Sequence, residues 1–212
     1  MAGSVITYNL SEDLIDNLVK LLEKDFIKSG KDIQKLAFVF EGKRPSSFMK
    51  NRLSEKIGKS FFPPTFFSID EFIEYIVAKK DNFSRIPDLD ASYSIYRLAK
   101  ENCPDLVGGG RESFSKFLPW ASEIKTFIDE LDLENIKDLS KNTPLIKNTL
   151  KNEPPKRIQG LLKDIDTIRS LFMREMQKNK TYTKGMLYRR ASELIDEVSF
   201  KEFEKVFFCN VF

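Results

Sequence analysis

The sequence contains no histidine. That absence removes the Ser-His-Asp triad, the Cys-His nucleophile pair and every histidine-ligated zinc site. Cysteine occurs twice, at Cys103 and Cys209, too few for a disulfide framework or, unaided, for a four-cysteine zinc or iron–sulfur site. A reducing, cytoplasmic setting is the expectation that follows. Long apolar runs are missing as well: none approaches the ~20 residues of a membrane span, so no membrane partner is expected. The opening MAGSVITYNLSEDLID turns acidic too early for a signal peptide. Charge of one sign is not in excess either. With 35 Lys+Arg against 32 Asp+Glu, no global field commits the chain to nucleic acid, and any basic surface must be local. Carboxylate–magnesium or lysine chemistry is all that remains open to an enzyme, and no cofactor or metal is expected in this segment.

What is present is an ordinary globular composition, 41% hydrophobic and 32% charged over 212 residues, enough for one large domain or two small ones. SVITYNL (4–10) is β-branched and short and predicts a first strand. A helix follows, with Ser11 as N-cap, Leu14, Leu18, Leu21, Leu22 and Phe26 on one face, and Gly30 as its end. LAFVFE (36–41) is continuously apolar, as a parallel strand covered on both faces should be. Residues 46–57 form a second helix. PTFFSI (64–69) is a third strand, after which Ser68 or Asp70 caps the helix DEFIEYIVAKK. This alternation predicts βαβ units and a parallel sheet.

The middle of the chain changes character. Residues 89–103 read as helical and are broken by Pro104 and a GGG turn at 108–110. Phe117, Trp120, Ile124, Phe127, Ile128 and Leu131 then recur at helical spacing. Residues 140–156 are polar and carry three prolines, the best internal linker; 157–178 and 184–197 are amphipathic helices. EKVFFCNVF closes the sequence as an apolar β-run, an ending that suggests a natural chain continuing beyond Phe212.

Four constellations bear on chemistry. LSEKIGKS (53–60) ends in the Gly-Lys-Ser of a phosphate-binding loop, but position 53 is leucine rather than glycine and the stretch before it is helical, so the match is a decoy. Pro104-Asp105 with Glu123 and Lys125 satisfies the loose PD-(D/E)-x-K nuclease pattern. That chemistry needs the carboxylates on adjacent strands around Mg²⁺, whereas Glu123 and Lys125 sit in a helical pattern and read as a solvated helix face. Asp129, Asp132, Asp164 and Asp166 read as surface carboxylates, and Cys103 and Cys209 as small packing residues. Lys43, Arg44, Lys50 and Arg52 follow the second predicted strand, where parallel sheets form binding crevices. They are candidates for neutralising phosphates, with Phe66 and Phe67 as a base-stacking platform; the alternative is a solvated basic turn beside two core phenylalanines.

Together these pieces resemble a known family. LAFVFEGKRPSSFMKNRL resembles the strand–loop–helix called motif Ia of superfamily 1 helicases, and PTFFSIDEFIEYI resembles the element that follows it. VITYNLSEDLIDNLVKLLEK sits where their phosphate loop lies but has no glycine, and EKVFFCNVF ends in Cys209-Asn210 where those proteins carry a magnesium-binding Asp-Glu pair. Order and spacing are similar to the N-terminal, inactivated helicase region of AddB-type helicase–nuclease subunits. FSKFLPWASEIKTFIDELD and YTKGMLYRRASELI resemble that family's insertion and the helix before its last strand. One departure is Glu41, an acid that repels phosphate where active helicases tend to carry threonine.

The resemblance implies an α/β fold: the parallel sheet of a P-loop, RecA-like helicase domain with a large helical insertion. Residues 1–84 would be its first half, 85–200 the insertion and 201–212 the returning strand. It implies a non-catalytic domain of a DNA double-strand-break-repair subunit, which guides single-stranded DNA or braces a helicase motor subunit. DNA-binding roles would fall to Lys43, Arg44, Lys50, Thr65 and Ser68. It leaves room for a PD-(D/E)-x-K DNA exonuclease in the full-length protein. The competing reading is a protein-interaction α/β domain that never meets nucleic acid.

Overall fold

A computed structural model describes residues 4–9, 11–136 and 156–210. The protein is mixed α/β with a small parallel sheet. It divides into two compact units, one of residues 1–75 with 199–212 and one of residues 76–198. Strands among the described residues are β1 (Leu36–Phe40), β2 (Thr65–Ser68), β3 (Ser84–Arg85), β4 (Thr181–Tyr182) and β5 (Lys205–Cys209).

The first unit is organised by β1. All five of its residues are buried, which is what a continuous apolar run requires: cover on both faces. It pairs in parallel with β2 on one side and β5 on the other, giving the order β2-β1-β5. In this register Phe38, Phe66 and Phe207 share one face, with the Phe38 ring 4.7 Å from Phe207 and 5.8 Å from Phe66. Two helices contribute to the core on that face, α1 (Leu14–Leu22) through Leu18 and Leu22 and α2 (Arg44–Ile57) through Met49 and Leu53. On the other face Phe67 and Phe208 meet Phe72 of α3 (Ile69–Ala78). Each buried phenylalanine contributes about 1.5–3 kcal/mol, and well-placed ring pairs about 0.5–1.5 kcal/mol more.

Three local expectations change. Residues 4–9 form no strand, and Val5 is 89% exposed; Leu10 lies outside the described residues. β-branched composition makes a strand only when a neighbour supplies the ladder and the packing. The first helix starts at Leu14, not after Ser11, because Asp13 Oδ1 accepts from the amides of Ile15 (2.8 Å) and Asp16 (3.1 Å) and serves as its N-cap. The helix passes into a π-type turn at Glu23–Ile27, and Gly30, at φ +70°, takes the left-handed turn beyond it. α2 begins two residues earlier than expected, at Arg44, with Pro45 in its first turn, where the missing N–H costs nothing. It ends at Gly58, whose φ of +65° and N–H bond to the Ser54 carbonyl (3.0 Å) close the helix. Gly58-Lys59-Ser60 therefore stands at the carbonyl end of a helix, whereas a phosphate loop uses the amide end.

The second unit is helical: α4 (Asp88–Asn102), α5 (Pro104–Val107), α6 (Phe114–Leu133), α7 (Lys156–Asn179) and α8 (Lys184–Leu194), with β3 and β4 as a short parallel pair. Its core gathers Ile95, Phe117, Ile128, Ile168 and Phe172. Trp120 departs from the expected buried stripe; it is 41% exposed, with the Arg111 guanidinium 4.8 Å from its ring centroid. The expected linker at 140–156 lies, but for Lys156, outside the described residues. No helix among the described residues is long and apolar enough to cross a membrane.

The carboxylates expected on the surface of α6 are buried instead. Asp132 is fully buried, and its Oδ1 accepts from Arg169 Nη2 at 2.6 Å and lies 3.3 Å from Arg189 Nη1. Asp129 accepts from the Thr183 hydroxyl and from the Gly185 N–H (3.2 Å), while Lys125 reaches its other oxygen at 3.1 Å. Helical spacing explains the Asp132–Arg169 pair: Asp132 is four residues after Ile128, and Arg169 four after Ile165, on buried stripes. At Gly185 a Cβ would stand 2.5 Å from the Asp129 carbonyl oxygen.

Removing one partner strands the other charge in the core, so Asp132→Ala is expected to cost about 3–5 kcal/mol in urea unfolding. A loss below ~1 kcal/mol would show that the ion cluster is solvated. Gly185→Ala is expected to destabilise by at least ~1–3 kcal/mol, read as a lowered Tm, because the new methyl meets backbone rather than a flexible side chain.

Candidate functional site

Parallel pairing sets the carboxyl ends of β1 and β5 side by side, Phe40 opposite Cys209. From β1 the chain turns through Glu41, Gly42 and Lys43 into α2, and a crevice of about 500 Å³ opens there, with Leu14, Cys209 and Asn210 on its other walls. The carboxyl end of a parallel sheet is where α/β proteins commonly hold ligands.

Helix polarity gives this crevice its sign. A helix N-terminus carries partial positive charge and is ordinarily neutralised by an acidic cap or first turn. α1 has Asp13 and Asp16 there, and α3 has Asp70 and Glu71. The first turn of α2 has no acid, its cap residue Lys43 makes no side-chain cap bond, and Arg44 follows. Ser46 Oγ donates to the Lys43 carbonyl (2.6 Å), which closes the turn without satisfying an amide. Glu41, exposed on the rim, is the one acid among the lining residues.

The expected DNA-binding residues separate into distinct environments. Lys43 Nζ lies 2.7 Å from Glu71 Oε1. Glu71 is itself half of a capping box: its Oε2 accepts from the Ser68 N–H (2.9 Å), and Ser68 Oγ accepts from the Glu71 N–H (3.3 Å). The hydrogen bond from Lys43, and secondarily that from the Ser68 amide, holds the Glu71 carboxyl below its ordinary range. Ser68 is thus buried and committed to starting α3. The Lys50 ammonium rests 5.3 Å from the Phe66 ring centroid, and Arg52 lies 3.4 Å from Asp16. Thr65 begins β2, three residues and roughly 10 Å from the carboxyl end, so it is not brought to the crevice. Arg44 is exposed and makes no ion pair among the described residues. The exposed pairs of Lys43 and Arg52 are worth little in water and exchange readily with a phosphate.

Phe66 and Phe67 are not an open stacking platform. Phe66 is stacked on Phe38 with Lys50 at its ring, and Phe67 is packed against Phe72, Tyr75 and Phe203. The aromatic that sequence reasoning passed over is Phe48, which is 63% exposed and one turn beyond Arg44 on α2. Its signal was available: Met49 and Leu53 mark the inward stripe, which leaves 44 and 48 outward together.

The other constellations stay apart. Pro104 opens α5, while Glu123 and Lys125 lie on α6, with Lys125 bound to Asp88 (2.6 Å) and Asp129; no pair of adjacent strands carries the pattern. Among the described residues no group of three or more carboxylates or thiols is placed to hold a metal ion. The second unit has its own crevice of about 500 Å³, between the end of α7 and α8. Its Arg190 is held there by Asp81 at 2.7 and 3.3 Å and by Glu193 at 3.2 Å, so its charge is already answered.

Burial pushes the Cys209 thiol up to about 12, and burial, then the nearby Asp164, raises Cys103, whose Sγ donates to the Asp164 carbonyl. Both are neutral packing groups rather than nucleophiles. Native protein treated with iodoacetamide at pH 8 is expected to label at Cys209 about two to three orders of magnitude more slowly than an ordinary thiol, with full labelling after denaturation. Rapid native labelling at Cys209, read by peptide mass spectrometry, would show that the thiol is open.

Searches of protein-family models and of curated proteins return no match to the chain.

Proposed function

We propose that the chain is a non-catalytic, helicase-like α/β domain of the AddB type, whose role is to guide single-stranded DNA or brace a motor partner in double-strand-break repair. On this reading the β2-β1-β5 sheet is the remnant of a RecA-like domain, residues 85–200 are its helical insertion, and any PD-(D/E)-x-K nuclease belongs to the full-length protein. The observation that carries the reading is the basic, uncapped start of α2 at the carboxyl end of β1. Amide dipoles, Arg44 and an exchangeable Lys43 converge on a crevice that suits a phosphate. Such contacts position a strand without reading its bases, so binding is sequence-independent and falls with salt.

A second reading, a protein-docking domain, is favoured by two exposed aromatics, Phe62 (75%) and Phe208 (54%).

Fluorescence anisotropy with a labelled oligothymidylate at about 50 mM salt separates the two. The DNA reading expects measurable affinity, a log–log salt slope of about −0.7 for each phosphate neutralised, and at least about a tenfold loss in Lys43→Glu/Arg44→Glu. No association at low salt, or indifference to the double substitution, would favour the docking reading.

A further inference from the structure

We infer that Phe48 is the base-stacking residue of this interface, with the strand lying along the outer face of α2, a phosphate at Arg44 and a base on the Phe48 ring; the inference rests on the single-strand reading above. Four residues along an α-helix is a rise of about 6 Å and little rotation, so Arg44 and Phe48 present one surface. Phe48 is 63% exposed, while its neighbour Met49 is fully buried, so its ring is not spent on the core. From Arg44 through Ser54 the helix carries no carboxylate; Glu55 is its first and only acid. A polyanion therefore meets no acid of α2 itself over the first three turns; of the acids contributed by other segments, Glu71 and Asp16 are paired with Lys43 and Arg52, and Glu41 stands on the crevice rim.

The other exposed aromatics of this unit fit less well. Phe62 follows the carbonyl end of α2, where the dipole disfavours phosphate, and Phe208 faces Phe72. Phe66 and Phe67 are engaged in the sheet. An exposed ring one turn from a guanidinium that has no ion pair among the described residues, at the positive end of a helix, matches a nucleotide unit: a flat apolar base with an anionic link. Stacking is tolerant of sequence because every base has a π-face.

The test is a set of anisotropy titrations of wild type, Phe48→Ala, Phe48→Leu and Phe48→Trp with an oligothymidylate, its duplex and polyglutamate. Phe48→Ala and Phe48→Leu are expected to weaken single-strand binding about tenfold, with the salt slope unchanged because no phosphate contact is lost. Phe48→Trp should keep wild-type affinity and add indole emission that the oligonucleotide quenches. Circular dichroism of each variant should match wild type, since the position is exposed. If wild type binds the strand but Phe48→Ala stays within twofold, the stacking role is overturned while the single-strand reading survives. If Phe48→Leu binds like wild type, apolar bulk rather than a flat ring is at work and stacking is again overturned. Wild type that fails to bind the strand overturns both readings. Polyglutamate bound as tightly, with the same dependence on Phe48, overturns the inference in favour of an acidic protein partner.

Discussion

Burial of β1 on both faces is the constraint from which the first unit follows. A strand whose every side chain leaves water needs a neighbour on each edge and a layer on each face. The chain meets that demand with β2 and β5 in parallel, the α1–α2 core on one side and the Phe72 cluster on the other. A one-residue slip of register would exchange Phe38 and Phe40 for Ala37 and Val39 across the sheet, leaving one face overfilled and the other hollow. Because all three strands run the same way, their carboxyl ends come together, and the turn after β1, the start of α3 and Cys209 share one edge.

Helix termini then distribute charge within this frame. Where an N-terminus is to be a structural joint, acids and hydroxyls close it, as Ser68 and Glu71 do for α3 and Asp13 for α1. Among the α-helices that start in this unit α2 is the exception, and it opens on the crevice with cations. The second unit treats charge differently: Asp132 and Arg169 are drawn into its interior with the part-buried Arg189 beside them, so the cluster bridges α6, α7 and α8. The attraction within a buried pair of this kind is largely offset by the cost of taking both charges out of water, so its net contribution to stability is small even though losing one partner is costly.

Much of the backbone was legible in sequence because periodicity is a strong signal. The apolar run at 36–40, the inward residues Leu18 and Leu22, and the glycine stops at 30 and 58 all announce themselves. Residues 4–9 misled because β-branching reports what a strand would tolerate, not whether a neighbour exists. Of the site, the basic turn was readable, but the partners that divide it were not: Glu71 for Lys43, the Phe66 ring for Lys50 and Asp16 for Arg52 depend on folding distant residues together. Asp132 was misjudged through residue type, although its spacing from Ile128 already placed it inside.

The closeness of α8 to α6 at Gly185 reaches beyond this molecule. With backbone against backbone there, any chain that retains the arrangement must keep a residue without a side chain at that point, and an acid or amide on the helix equivalent to α6 to receive the Thr183 hydroxyl. The Thr-x-Gly triplet, set against an aspartate some fifty residues upstream (54 from Thr183 to Asp129), is therefore a fingerprint for finding kin whose remaining letters have drifted past recognition.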